Sequence, residues 1–192
     1  MTSPEEEKHD EFRSEFREAL SLLAQVCDEV VRRWYPLPVL VGGAAVEFYT
    51  SGDAMTADAD FVTPYHDVFE EILPKYGFVF VDRPGRRMRR FRHPSLDLGV
   101  EVVSDDLYPG SDPARIRLVR TAGGGRIAIY PVEDVIADRL GQYAEDSRAE
   151  MLGQAIQLYQ LATELDEAYL EARIRDQTHG DWSLARLKEE AA

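Results

Sequence analysis

Residues 38–63 read PVLVGGAAVEFYTSGDAMTADADFVT, and this stretch predicts a strand, a glycine turn, a helix and a second strand in that order. The apolar run Val39–Val41 is long enough for a short buried strand. Two glycines interrupt the run, and a helical pattern follows over residues 44–49. An alternating segment over residues 58–62 then predicts the second strand.

Two aspartates on the second strand suggest a cation site. In a strand, side chains i and i+2 share one face about 6.5–7 Å apart, so Asp58 and Asp60 should project together. Two carboxylates held that close attract a hard cation. Gly42 and Gly43 open a helix, and the N-terminus of a helix favours phosphate. The stretch therefore predicts a phosphate cradle beside a magnesium site.

The composition is that of a globular protein with an acidic surface. The chain has 192 residues, which fits one domain or a compact core with a smaller helical lobe. Its formal net charge of −14 repels nucleic acid and anionic membranes over most of the surface. The single cysteine, Cys27, excludes an internal disulfide framework, and its apolar neighbours predict a packed core thiol.

No targeting or membrane segment is predicted. The first residues are acidic, and neither a basic region nor an apolar run of the signal-peptide kind follows them. No stretch approaches the roughly 18 apolar residues that a membrane-spanning helix needs. Together with the single cysteine, these features lead us to expect a cytoplasmic protein without a membrane partner.

The rest of the pattern divides the chain into an α/β half and an all-helical half. A long amphipathic pattern predicts a helix at the start of the chain, and this helix offers a surface for a homodimer. The expected elements are helices at 4–34 and 66–75, strands at 78–81, 88–93 and 98–103, a hairpin of 116–119 with 127–130, and four helices beyond residue 131. We expect a core over residues 1–130 and a helical lobe packed on it over residues 131–192.

A cluster of arginines stands out against the acidic background. Six arginines fall within ten residues, at Arg83, Arg86, Arg87, Arg89, Arg90 and Arg92. One interpretation is a solvated edge strand. The other is a contact with phosphate or nucleic acid through Arg86, Arg87, Arg89 and Arg90, which would make binding strongly dependent on salt.

Glu101 lies among valines in the strand predicted over residues 98–103. Burying an unpaired carboxylate is costly, so this side chain needs a partner. The residues alone leave two partners open, which are a metal ion and one of the nearby arginines.

Several motifs resemble the DNA polymerase beta-like nucleotidyltransferase superfamily. They are Gly42-Gly43-Ala44, then Tyr49-Thr50, then Thr56-x-Asp58-x-Asp60. Within that superfamily the pattern is most similar to the minimal prokaryotic group that contains the AbiEii-type toxins. The segment 132–140 and the residues around 154–158 and 165–170 also resemble that group, so the resemblance covers roughly residues 38–172.

The resemblance implies an α+β fold, in which a small mixed sheet flanked by helices is followed by a C-terminal helical lobe. In such enzymes two carboxylates on one strand and a third on a neighbouring strand bind divalent ions, here Mg²⁺ or Mn²⁺. Asp58 and Asp60 match the paired positions. Glu101 is the choice for the third carboxylate, and Asp97 is the alternative.

The resemblance also implies a binding site for a nucleoside triphosphate. Backbone N–H groups of Gly42 and Gly43 would hold the β- and γ-phosphates. Thr56 would orient the aspartate strand or cap its turn. Arg139 lies where related enzymes place a basic residue near the triphosphate, and the alternative is an ion pair with one of the acidic residues 133–134.

The implied activity is transfer of a nucleoside monophosphate from a triphosphate to an acceptor. A tRNA end, a protein hydroxyl and a small molecule, as in the aminoglycoside nucleotidyltransferases, all stay open as acceptors, and a toxin–antitoxin pair is one biological setting. The alternative is a protein that keeps the fold without turnover and acts as a binding or antitoxin-like partner. Glu101 in place of the usual aspartate, and the lack of a serine after the glycines, favour this alternative.

Overall fold

A computed structural model of the protein describes residues 12–81, 90–96 and 98–192. The chain divides into two compact units. The first unit extends through Leu107 and also contains Ile116–Ile129. The second unit consists of Tyr108–Arg115 and Tyr130–Ala192. A short segment of the second unit is thus inserted in the sequence of the first.

The first unit contains three α-helices and seven strands within the described residues. The helices are α1 (Ser14–Arg32), α2 (Gly42–Tyr49) and α3 (His66–Ile72). The strands are β1 (Val39–Val41), β2 (Asp58–Val62), β3 (Val79–Val81), β4 (Arg90–His93), β5 (Leu98–Ser104), β6 (Arg117–Arg120) and β7 (Arg126–Ile129). Each strand lies within two residues of its prediction, and the expected hairpin forms between β6 and β7.

The seven strands form one mixed sheet in the order β3-β4-β5-β2-β1-β7-β6. The pairs β2–β5 and β1–β7 are parallel, and the other four pairs are antiparallel. β2 therefore lies in the middle of the sheet, between β1 and β5. The predicted fold class, a mixed sheet flanked by helices and followed by C-terminal helices, is confirmed.

Helix α1 supplies much of the apolar core of the first unit. Its buried face includes Phe16, Leu23, Cys27 and Val30, and it packs against β7 and α3. Burial raises the pKa of the Cys27 thiol, which confirms a packed core cysteine. Residues 4–11 of the predicted N-terminal helix lie outside the described part of the chain.

The helix predicted at residues 66–75 is two elements. α3 ends at Ile72, and a 3₁₀ helix follows over Leu73–Tyr76. Pro74 has no backbone N–H to continue the α-helical bonds, so the turn tightens instead. Among the described residues, no helix is both long and apolar enough to cross a membrane.

The second unit contains the four C-terminal helices, α4 (Val132–Asp146), α5 (Ala149–Leu161), α6 (Glu167–Gln177) and α7 (Leu184–Glu190). α4 packs against both α5 and α6. Its buried apolar residues include Val135, Ile136 and Leu140. These residues follow the helical spacing expected of an amphipathic helix in a bundle.

A buried ion pair joins the inserted segment to the helices of the second unit. Arg173 Nε donates to Asp134 Oδ1 over 2.6 Å, and the two side chains are 3% and 0% exposed. Arg173 also donates to the carbonyl of Pro109 and to the hydroxyl of Ser111, while the Tyr169 hydroxyl donates to Asp134. Burial lowers the pKa of Arg173, but the hydrogen bond and charge of Asp134 raise it above its ordinary value.

Removing one partner of this pair should destabilise the protein strongly. Arg173→Met leaves the Asp134 carboxylate buried and unpaired, and should lower the free energy of unfolding by about 3–5 kcal/mol. The matched control is Arg175→Met on the same helix, because Arg175 pairs with Glu171 at the surface and should cost at most about 1 kcal/mol. Urea denaturation measures both. Equal losses of unfolding free energy in the two variants would contradict a stabilising role for the buried pair.

Candidate active site

The central strand β2 brings the three predicted carboxylates to one place in the sheet. Asp60 pairs in register with Val41 of β1 on one side and with Glu101 of β5 on the other. Asp58 pairs with Gly99 of β5. Because β2 and β5 are parallel and in register, Asp58, Asp60 and Glu101 form a compact acidic group.

The start of α2 is pressed against this acidic group, and two glycines make that possible. Gly42 has a φ of +63°, and a Cβ there would overlap the carboxylate of Asp60. A Cβ on Gly43 would lie 2.6 Å from Thr56 Oγ1. Both positions thus need glycine, Gly42 for its left-handed backbone and both for the close approach. The N-cap residue is Val41, whose side chain cannot accept the first N–H groups of the helix.

Thr56 controls how β2 begins. Its hydroxyl donates to the carbonyl of Asp58 over 3.1 Å and accepts from the Asp58 N–H over 3.2 Å. The same hydroxyl lies over Gly43 at the start of α2. Thr56 therefore connects the first aspartate of the strand with the first turn of the helix.

A guanidinium lies among the carboxylates. Arg90 of β4 pairs in register with Glu101, and its side chain forms an ion pair with Asp58. Its Nε lies 3.7 Å from Glu101 Oε1, and the side chain is only 15% exposed. Gly99 leaves room for it, since a Cβ at Gly99 would come within 2.5 Å of Arg90 Nε. Glu101 thus has the arginine partner that the sequence left open as one alternative.

The donor set has the chemistry for a divalent ion. Three carboxylates on neighbouring strands offer the hard oxygen ligands that Mg²⁺ and Mn²⁺ prefer. Among the described residues, no three acidic, His or Cys side chains are arranged to hold a metal. The guanidinium of Arg90 competes with a divalent ion for the carboxylate of Asp58, because the two form an ion pair. Asp97, the alternative ligand, lies outside the described residues.

A second ion pair, whose carboxylate is fully buried and whose arginine is partly exposed, lies beside the site. Glu47 of α2 is 0% exposed, and Arg13 reaches it with two N–H groups, Nε to Oε1 over 2.6 Å and Nη2 to Oε2 over 3.1 Å. The hydrogen bond to Glu47 is the main cause that raises the pKa of Arg13. Both side chains also contact the backbone of Thr56: its N–H donates to Glu47 over 2.7 Å, and its carbonyl accepts from Arg13 over 2.7 Å.

Sequence reasoning missed this pair. A glutamate directly after Ala44, Ala45 and Val46 signals a charge on an apolar helix face, which needs a partner. The pattern gives no means of finding that partner 34 residues earlier in the chain.

The fold matches solved structures of nucleotidyltransferase-like proteins. An antigenic nucleotidyltransferase-like protein from Paracoccidioides brasiliensis has a TM-score of 0.60 and 16% identity, over 93% of this chain and 94% of its own. The antibiotic-resistance factor ANT(2'')-Ia has a TM-score of 0.56 and 17% identity, over 90% and 96% of the two chains. MenT4, a nucleotidyltransferase toxin from Mycobacterium tuberculosis, has a TM-score of 0.57 and 18% identity, over 91% of this chain and 69% of its own.

The chain has a nucleotidyltransferase fold. Its structural neighbours include a toxin, as the sequence resemblance predicted, while the narrower similarity to the AbiEii-type group stays a prediction. No protein-family profile and no curated protein sequence matches the chain.

The other predicted contact residues belong to the second unit or, apart from Arg90, fall outside the described part of the chain. Arg139 is buried in the second unit, where it pairs with Asp138 over 2.8 Å and contacts Met151 Sδ. The two acidic residues considered as its partners bond instead to the backbone N–H of Asp166 and to Arg173. Of the four arginines predicted to contact phosphate or nucleic acid, only Arg90 is described.

The close approach at Gly43 can be tested by adding one methyl group. Gly43→Ala places a Cβ against Thr56 and should lower the free energy of unfolding by about 1–3 kcal/mol, because the packed neighbours must move. Gly153→Ala is the control: nothing lies within 4 Å of its Cβ on α5, so stability should rise by about 0.5–1 kcal/mol. Urea denaturation compares the two. A neutral Gly43→Ala would show that Thr56 does not press on the helix.

Proposed function

We propose that the protein is a metal-dependent nucleotidyltransferase that transfers a nucleoside monophosphate from a nucleoside triphosphate to a hydroxyl acceptor. One observation carries the proposal. Asp60 and Glu101 lie in register on adjacent parallel strands, and the glycine-opened start of α2 lies directly against Asp60. Carboxylates for a cation and N–H groups for phosphate then meet at one point.

In this proposal the residues at the strand–helix junction bind the nucleotide. N–H groups of Gly42 and Gly43 hold the β- and γ-phosphates, aided by the dipole of α2. Asp58, Asp60 and Glu101 would hold Mg²⁺ or Mn²⁺, which supplies positive charge against the triphosphate. The strongly acidic chain repels a free triphosphate, so binding depends on this local arrangement.

The proposed chemistry is an in-line displacement at the α-phosphorus. The hydroxyl oxygen of the acceptor forms a bond to phosphorus, and the bond from phosphorus to the α,β-bridging oxygen breaks. Pyrophosphate leaves with the electron pair of that bond. Glu101, the carboxylate nearest to Asp60 across the strand pair, takes the proton of the attacking hydroxyl.

The proposed displacement suits several classes of acceptor. A hydroxyl on a tRNA end, on a protein or on a small molecule suits the same displacement. The structural neighbours include an antibiotic-resistance factor and a toxin, which supports both a small acceptor and a toxin–antitoxin setting. Arg86, Arg87, Arg89 and Arg90 are the candidate contacts for an RNA acceptor. Incubation with α-labelled nucleotides and a cell lysate would identify the molecule that receives the label.

A second candidate function is binding without turnover, as a regulatory or antitoxin-like partner. The observation that favours it is the ion pair of Arg90 with Asp58 and its proximity to Glu101. A protein that keeps Arg90 there permanently would retain the fold and lose the metal. The two candidates differ in whether Arg90 gives way to a divalent ion.

Nucleotide binding should stabilise the protein only with a divalent ion and an intact Asp60. A nucleoside triphosphate with Mg²⁺ at about 100 times its Kd should raise the melting temperature by about 5 °C or more. Asp60→Asn should abolish the shift, since it removes the negative charge of one ligand and keeps the shape of the side chain. Asp106→Asn removes an exposed carboxylate of the same unit and should keep the shift. Absence of a shift with all four nucleotides would refute the proposal.

Removal of Arg90 should strengthen divalent ion binding. Arg90→Gln takes the competing cation away from Asp58 and Glu101, so the affinity for Mn²⁺ in the absence of nucleotide should rise about tenfold. Arg120→Gln removes the same charge from β6, at the other end of the sheet, and should leave the affinity unchanged. Mn²⁺ titration followed by electron paramagnetic resonance measures both. If only the Arg90 variant binds Mn²⁺, the candidate without turnover is favoured.

A further inference from the structure

We propose that Arg13 and Glu47 are positioning residues of the nucleotide site, which act through Thr56. The proposal rests on the proposed function, since the site that these residues would position is the proposed nucleotide site. No sequence motif identifies either residue. Neither side chain belongs to the acidic group or to the glycine turn. Their hydrogen bonds nevertheless hold Thr56, the residue that connects the acidic group with the glycine turn.

Two hydrogen bonds fix the orientation of Arg13 relative to Glu47. Glu47 is 0% exposed, and it accepts one N–H from Arg13 on Oε1 and a second on Oε2. This fork arrangement is the one that arginine and a carboxylate form most specifically. Lysine, with a single ammonium group, cannot reproduce it.

The pair holds the backbone of Thr56 on both sides. Glu47 Oε2 accepts the Thr56 N–H over 2.7 Å, and Arg13 Nη2 donates to the Thr56 carbonyl over 2.7 Å. Thr56, a non-helical residue between α2 and β2, is thereby tied to Arg13, which precedes α1, and to Glu47 in the last turn of α2. Loops of this kind are otherwise the most mobile part of a fold.

The position of Thr56 is transmitted to both parts of the proposed site. Its hydroxyl lies against Gly43, one of the two residues proposed to bind phosphate. The same hydroxyl bonds to the N–H and the carbonyl of Asp58, and so sets where the aspartate strand begins. A shift of Thr56 would therefore move the phosphate cradle and the first carboxylate relative to each other.

Such a shift should impair function more than folding. Displacements of about 1 Å at a site of this kind can cost about 100-fold in activity. The rival explanation is that the pair only stabilises the fold, as the Asp134–Arg173 pair does in the second unit. If the pair positions the site, its variants should lose more nucleotide affinity than a variant that loses as much stability at a distant position. If the pair only stabilises the fold, the two kinds of variant should lose the same affinity.

The test measures nucleotide affinity by calorimetry with Mg²⁺, well below the melting temperature of every variant. We expect Glu47→Gln and Arg13→Gln to weaken binding by about 10-fold to 100-fold. Arg13→Lys should recover part of the loss, because it restores the charge but not the fork. Ile72→Ala, a fully buried residue of α3, is the control for lost stability and should bind as the native protein does.

A double-substitution cycle tests the route through Thr56. Thr56→Val removes the hydroxyl that contacts Gly43 and Asp58, so Glu47→Gln should have little further effect on affinity in that background. Additive losses would mean that Glu47 does not act through Thr56. Thr56→Ser keeps the hydroxyl and should keep most of the coupling.

The outcomes separate this inference from the proposed function. If the native protein binds no nucleotide, both are refuted. If the native protein binds nucleotide and Glu47→Gln and Arg13→Gln bind equally well, only the positioning role is refuted. Loss of affinity in Ile72→Ala equal to that in Glu47→Gln would also refute it, because stability alone would then explain both.

Discussion

The pairing of β2 with both β1 and β5 is the constraint on which the rest of the structure depends. Backbone hydrogen bonds in two directions fix Asp60 between the end of β1 and Glu101 of β5. A slip of one residue would turn every side chain of β2 to the other face of the sheet. The chain leaves β1 at Val41 and turns at once into α2, so the same pairing also sets where the helix begins.

Much of the fold was predictable, because its signals are local. The apolar run of β1, the glycine break and the alternation of β2 each depend on neighbouring residues, and so do the helices beyond Pro131. The acidic group was predictable in part. Asp58 and Asp60 share a face through strand periodicity alone, whereas the register of Glu101 depends on a strand pair separated by about forty residues of sequence. No local rule supplies such a register.

For the same reason, the sequence indicated an arginine as a possible partner of Glu101 but could not identify the residues that form the ion pairs. Arg90 is one of six arginines within ten residues, and nothing in the sequence distinguishes the one that lies beside Asp58 and Glu101. Its position follows from β4 pairing with β5, which places it opposite Glu101, and from Gly99, which leaves room for the guanidinium. No sequence motif links Arg13 with Glu47, which lies 34 residues later. Long-range charge pairing is decided by the assembled fold, so sequence patterns show that a buried charge needs a partner but not which one.

The short segment Tyr108–Arg115 affects how the protein can be made. It belongs to the second unit, yet it is synthesised before β6 and β7 of the first. Arg173, which bonds to its Ser111, follows 62 residues later, a wait of roughly 3 to 12 s at ribosomal speed. The first unit can therefore be completed while the inserted segment still lacks its partners, and a gene cut after Ile129 would encode a fragment in which that segment never meets them. Completion of the second unit therefore has to follow synthesis of Arg173, which supplies the bonds that hold the inserted segment.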